Sequence, residues 1–160
     1  MAVLEKHKED VGIDKVLGGL TRQKEEKPEL QRVIERSTFR LKHGKFVYAK
    51  VRKIPEHGRH FMISSDNDEI TVVTLEENIK QLELEERRGE NYSIIELNPS
   101  MPFYTVGLLA AVSGAIAKFG ISLLVISTYS KEYVLVNEKY ANAARNALSM
   151  IGLKELKEKG

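Results

Sequence analysis

The sequence predicts an α+β fold built on the split β-α-β order of a ferredoxin-like domain. Three observations carry that prediction. From Tyr92 to Ile151 the chain reads strand, helix, strand, strand, helix. Pro102 to Val136 is the longest stretch of low charge, broken only by Lys118, Lys131 and Glu132. A poorer version of the same order runs from Lys45 to Leu97, so the pattern occurs twice. The expected architecture is a βαββαβ unit in tandem, with antiparallel sheets and helices on one face.

Length and composition bound the rest. At 160 residues the chain is one ordinary domain or two small ones sharing a core. It has no cysteine, which excludes disulfides and thiolate zinc sites and suits a reducing compartment. Met1 is followed by Glu5, Lys6, Lys8 and Glu9, not by an apolar leader. Gly107 to Ala117 is apolar but about half of the roughly 20 residues that span a bilayer. These features predict a cytoplasmic protein with no membrane partner. With 25 basic and 23 acidic residues the net charge is +2, which gives no global attraction for nucleic acid.

Residues 1–36 read as a helical N-terminal arm. Ile13, Val16, Leu17 and Leu20 share one helix face, interrupted by Gly18 and Gly19. Pro28 opens a second helix with Leu30, Val33 and Ile34 as its buried stripe. Packing on the body or on a second subunit is the expected role. The competing reading is a small helix-turn-helix with Arg22, Lys24, Arg32 and Arg36 near phosphates.

Residues 37–90 read as a degenerate first unit. Phe46, Tyr48 and Val51, with Val47 and Ala49 opposite, make a strand buried on both faces. Ile54 to Gly58 is a turn, and His60 to Ser64 pairs with Ile70 to Thr74 around an Asp/Asn-rich turn. Thr74 with Glu77 is a capping box for a helix whose apolar face is Ile79, Leu82 and Leu84. Between Val51 and His60 there is almost no room for a first helix.

Residues 91–156 read as the fuller unit. Tyr92 to Leu97 is a strand, and Asn98 to Pro102 is a connection stiffened by two prolines. A helix from Val106 to Phe119 buries Leu108, Leu109, Val112, Ile116 and Phe119 and stops at Gly120. Ile121 to Thr128 and Tyr133 to Val136 are strands. Asn137 caps a last helix facing inward through Tyr140, Ala144, Ala147 or Leu148, and Ile151. Only Leu153 to Leu156 is left for a closing strand. Tyr92 to Leu97 is therefore expected to serve both halves, unless another subunit lends a strand.

Few residues carry recognisable chemistry. His57 and His60 lie three apart in a turn without a third ligand, so no metal site is assigned. No nucleophile elbow, P-loop or H-E-x-x-H motif occurs, and no catalytic residue or cofactor is assigned. Tyr133 to Val136 and Ile70 to Val73 lack the basic and aromatic pattern of an RNA-recognition sheet.

The run from Pro102 to Ala110, then Phe119-Gly120-Ile121-Ser122, Ile126-Ser127-Thr128-Tyr129 and Glu132 to Val136, resembles ACT domains. It looks especially like the small tandem-ACT proteins related to cytosolic arginine sensors and to aspartate-kinase regulatory domains. The likeness extends back to about Phe39. It implies regulation without catalysis, by an amino acid or similar metabolite held near the first strand-to-helix turn. Carried onto this sequence, Tyr104, Thr105, Val106 and Gly107 form that turn, where amides at a helix start favour a carboxylate. Ser127 and Thr128 match strand-end hydroxyls. Glu132 stands where relatives have Asp, placed to pair with an α-amino group or a basic side chain, and Lys131 replaces a small polar residue. The alternative is structural: Gly107 relieves packing, Thr128 ends a strand and Glu132 is a solvated turn residue. Self-association as a homo-oligomer, first of all a homodimer, is expected. The competing functions are a ligand-free protein-interaction scaffold and a DNA-binding regulator that uses the arm.

Overall fold

A computed structural model of the chain describes residues 27–100 and 105–157. The helix face at Ile13 to Leu20, the cations Arg22 and Lys24, and Tyr104 lie outside the described residues. The first element among the described residues is the helix α1, Lys27–Arg36, and it turns Val33 and Ile34 inward as their spacing predicts. Five strands follow without an α-helix among them: β1 Thr38–Leu41, β2 Phe46–Val51, β3 Met62–Ser65, β4 Ile70–Leu75 and β5 Leu84–Arg87. The second half supplies β6 Tyr92–Asn98, α2 Leu108–Ala117, β7 Leu123–Ser127, β8 Glu132–Asn137, α3 Ala141–Met150 and the two-residue β9 Lys154–Glu155. The fold is α+β, with the ferredoxin-like order complete in the second half.

β6 serves both halves. On one edge it pairs with β8, from Tyr92↔Asn137 to Leu97↔Glu132. On its other edge it meets β1 through Thr38↔Asn98 to Leu41↔Ile95, and β2 through Phe46↔Tyr92. β1 and β2 thus run in the same direction along β6, as one long strand interrupted at the turn containing Gly44. β9 pairs in parallel with Thr38 and Phe39, so β1 lies between the closing strand and β6.

Alternation along β6 and β8 explains why both read as unbroken apolar runs. Ile95, Leu97, Val134 and Val136 face the helices and pack with Ile34, Phe39, Val112, Ile116, Ala144, Leu148 and Leu153. Ile94, Tyr133 and Leu135 face the other way, into a second core with Phe46, Val73, Tyr92 and Ile126. Phe61 seals that core edge-on against Tyr133, with ring centroids 4.8 Å apart, and against Phe46 at 5.9 Å. A sheet covered on both faces needs no polar alternation.

Four sequence expectations are corrected. The capping-box helix after Thr74 is a six-residue 3-10 turn, Glu76–Gln81, with no side-chain cap, and Leu84 begins β5. Thr74 cannot cap because it is still inside β4, opposite Val47 and fully buried. Its hydroxyl oxygen instead bonds His60 Nδ1 and Asn78 Nδ2, each at 3.0 Å. Phe119 is half exposed, since α2 ends at Ala117 before that position can turn inward. Tyr140 is also exposed, at 41%, because it sits in a 3-10 turn ahead of α3, whose buried face is Ala141, Ala144, Ala147 and Leu148. Asn137 does cap, accepting from the Lys139 amide at 3.1 Å, but it caps that 3-10 turn.

Candidate functional site

The turn leading into α2 is shaped by Gly107. Its φ of 89° is left-handed, a conformation costly for any residue with a Cβ. Closure of the turn is local: the Leu108 amide donates to the Thr105 carbonyl at 3.3 Å and the Ala111 amide to the Gly107 carbonyl at 2.9 Å. Gly107 offers no side chain to cap the helix, so the amides of Leu109 and Ala110 meet no capping group from that position. Thr105 is half-buried and Val106 is 73% exposed. A Cβ built on Gly107 would come within 3.2 Å of Leu30 Cδ2, so α1 lies directly beside this turn.

The second group of candidate residues closes the β7–β8 hairpin. Ser127 pairs with Glu132, and its hydroxyl donates to Glu132 Oε2 at 2.5 Å. The Thr128 amide and hydroxyl both donate to the Lys131 carbonyl, at 2.8 and 3.2 Å. Ser127 and Thr128 are exposed and Glu132 is half-buried. Glu132 lies beside Leu97 at the end of β6, the end from which the chain leaves for α2. It also shares the helix face with Val134, two residues on. The structure therefore brings Thr105–Gly107 and the Ser127/Glu132 pair to one end and one face of the sheet. The donor protons of both hydroxyls are already engaged within the hairpin.

Two clefts open elsewhere, in the first half. One of about 420 Å³ is walled by Tyr48, Lys50, Thr71, Glu86 and Arg88, and one of about 250 Å³ by Lys53, His57 and Gln81 among others. His60 is bonded through both ring nitrogens. His60 Nε2 donates to the His57 carbonyl at 3.0 Å, and Nδ1 is taken by Thr74.

Lys131 has a structural explanation that its place in the hairpin does not suggest. Its Nζ reaches 2.9 Å to the carboxylate of Glu96, which is only 3% exposed. Lys42 Nζ and Arg40 Nε approach the same carboxylate at 3.5 and 3.7 Å. Burial pushes the Glu96 carboxyl upward, but the Lys131 hydrogen bond and the charges of Lys131, Lys42 and Arg40 outweigh it and hold the group below its ordinary value. The hydrogen bond to Glu96 in turn raises Lys131. Glu96 was detectable in principle, as a carboxylate inside Ile94-Ile95-Glu96-Leu97 on a strand buried on both faces. Such a group requires a cation.

Comparison with known proteins bears on the second half first. The ACT domain family matches residues 88–150. No curated protein matches the chain. A protein of unknown function from Vibrio cholerae, described as a possible transport protein, is 24% identical with a TM-score of 0.66, over 78% of this chain and 96% of its own. A protein from Agrobacterium tumefaciens is 21% identical with a TM-score of 0.65, again over 78% and 96%. The regulatory subunit of aspartate kinase from Thermus flavus is 13% identical with a TM-score of 0.55, over 71% and 96%. What these structures share with the chain is the fold.

Proposed function

We propose, from the ACT domain that residues 88–150 form, a non-catalytic regulatory protein of the cytoplasm that binds an amino acid or a similar small metabolite. On this reading residues 91–156 are the ACT unit and 37–90 its degenerate partner. Residues 1–36 are an arm whose α1 has become part of the core.

The observation that carries the reading is Gly107, left-handed at the start of α2 and on the same end and face of the sheet as Glu132. Amides at the helix start complement a carboxylate, and the Glu132 carboxylate complements an α-amino group. Tyr104, Thr105 and Val106 would line the approach, with the Ser127 and Thr128 hydroxyl oxygens as acceptors. Signalling requires that the ligand favour one arrangement of a homo-oligomer over another, hence different affinities for the two states. Calorimetry against the twenty amino acids and common nucleotides tests it. One of them should give saturable heat that Gly107→Trp and Glu132→Ala abolish; no heat and no thermal shift with any would sink the reading.

Two features favour a second reading, a scaffold that has lost its ligand and recruits a protein. Leu30 abuts the Gly107 turn and both hairpin hydroxyls donate internally. That reading expects no heat from any metabolite, together with an interaction lost on deleting residues 1–26 and kept in Gly107→Trp.

A further inference from the structure

The helix-free face of the sheet carries more positive charge than its buried carboxylate needs. In register across three strands lie Arg40, Glu96 and Tyr133. One carboxylate is neutralised by one cation, and Lys131 at 2.9 Å already supplies it. Arg40 and Lys42 nevertheless converge on the same group. Among the described residues none of the three cations pairs with any other carboxylate. Their side chains are 45%, 33% and 44% exposed for Arg40, Lys42 and Lys131, against 4% for Glu96. The donors thus reach solvent while the acid that gathers them does not.

We infer that Arg40, Lys42 and Lys131, drawn together by Glu96, form a binding site for a small doubly charged oxyanion such as a phosphate monoester or a dicarboxylate. Three cations against one buried carboxylate leave a charge of +2, which a dianion cancels. A purely structural ion pair would not need the second and third cations, whose mutual repulsion opposes folding. The site has an aromatic base. Lys42 Nζ sits 6.0 and 5.8 Å from the ring centroids of Phe61 and Tyr133, which anchor it without consuming its hydrogen-bond donors. Arg40 contributes a planar fork suited to two oxygens of one anion. Glu96 is the positioning residue: it sets the spacing of the cations and fixes the net charge at +2. This site is independent of the Gly107 turn, which lies on the helix side of the sheet.

Titration of the full chain with inorganic phosphate and, separately, succinate, followed by amide NMR at ionic strength held constant with sodium chloride, tests the inference. Saturable shifts at Arg40, Lys42 and Lys131 with either probe are the expected result, and which probe saturates identifies the ligand's source as phosphate or carboxylate. Arg40→Gln with Lys42→Gln should weaken binding at least tenfold, while Lys50→Gln, on the first-half cleft, leaves it unchanged. Glu96→Gln should tighten binding several-fold by raising the local charge to +3, an effect a structural staple would not produce. Should that variant fail to fold, the double variant still decides. Shifts that do not saturate with either probe, or that persist in the double variant, overturn the inference.

Discussion

The two halves of this molecule use the same kind of strand in different ways. In residues 92–155, strands alternate with α2 and α3, and the helices cover one face of β6 and β8. In residues 38–87, five strands follow one another with no α-helix, and the side chains of Phe46, Phe61 and Val73 cover the opposite face of those same strands. The first half thus takes the place of a helix layer for the second. The comparison teaches where stability resides: β6 and β8 are built into two cores, whereas β3 at the far edge belongs to neither beyond Met62.

The sharpest way to break that comparison is to truncate one residue in each half. Leu148 is fully buried between α3 and the sheet, and Leu148→Ala should cost about 3 kcal/mol through lost burial and an unfilled cavity. Ile63 is 41% exposed on edge strand β3, and Ile63→Ala should cost under about 0.5 kcal/mol. Urea denaturation of both variants checks this. Equal losses would mean that the halves share stability evenly.

That asymmetry was only partly visible in the chain. The period-two and period-3.6 patterns of Tyr92 to Ile151 are strong because both faces of each strand are occupied, so the elements of the second half read correctly. So did the sharing of Tyr92–Leu97 between the halves, which the shortage of closing-strand residues implied. Thr74 misled because a capping box is a local pattern, while its burial opposite Val47 is a long-range fact. Phe119 and Tyr140 misled because apolar periodicity does not say where a helix ends. For the candidate site, a glycine at a helix start was legible at Gly107. Its nearness to Leu30, 77 positions earlier in the chain, was not. Nor was the link between Lys131 and Glu96, which requires knowing that β6 and β8 are neighbours.

The Glu96 cluster sharpens the comparison at the seam, since it ties β1 of the first half to β6 and the β7–β8 hairpin of the second. Glu96→Gln should cost about 2 kcal/mol at pH 7, because it leaves three cations without their anion. The pH dependence has a definite sign. The folded-state pKa of Glu96 lies below its ordinary value of 4.5. Its stabilisation is therefore complete above that value and is lost as pH falls through the depressed folded value. The difference between wild type and Glu96→Gln, measured by denaturation at pH 7 and again near pH 3, should shrink in acid. A constant gap would show that the charge is not what matters.

The smallest effect separates fold from function within the second half. Gly107→Ala places a Cβ at a φ of 89° and 3.2 Å from Leu30 Cδ2, and the left-handed backbone alone costs about 1–2 kcal/mol. Pairing it with Leu30→Ala opens space beside the new methyl group but leaves the backbone cost unchanged. The double variant should therefore show coupling of only a few tenths of a kcal/mol if conformation dominates, and close to the full cost if contact with α1 does. If conformation dominates, glycine is required by the turn itself, as a backbone approached by a ligand would need. Strong coupling would instead make Gly107 a packing residue for α1 and shift weight to the scaffold reading. Thermal unfolding of the two single variants and the double variant decides between them.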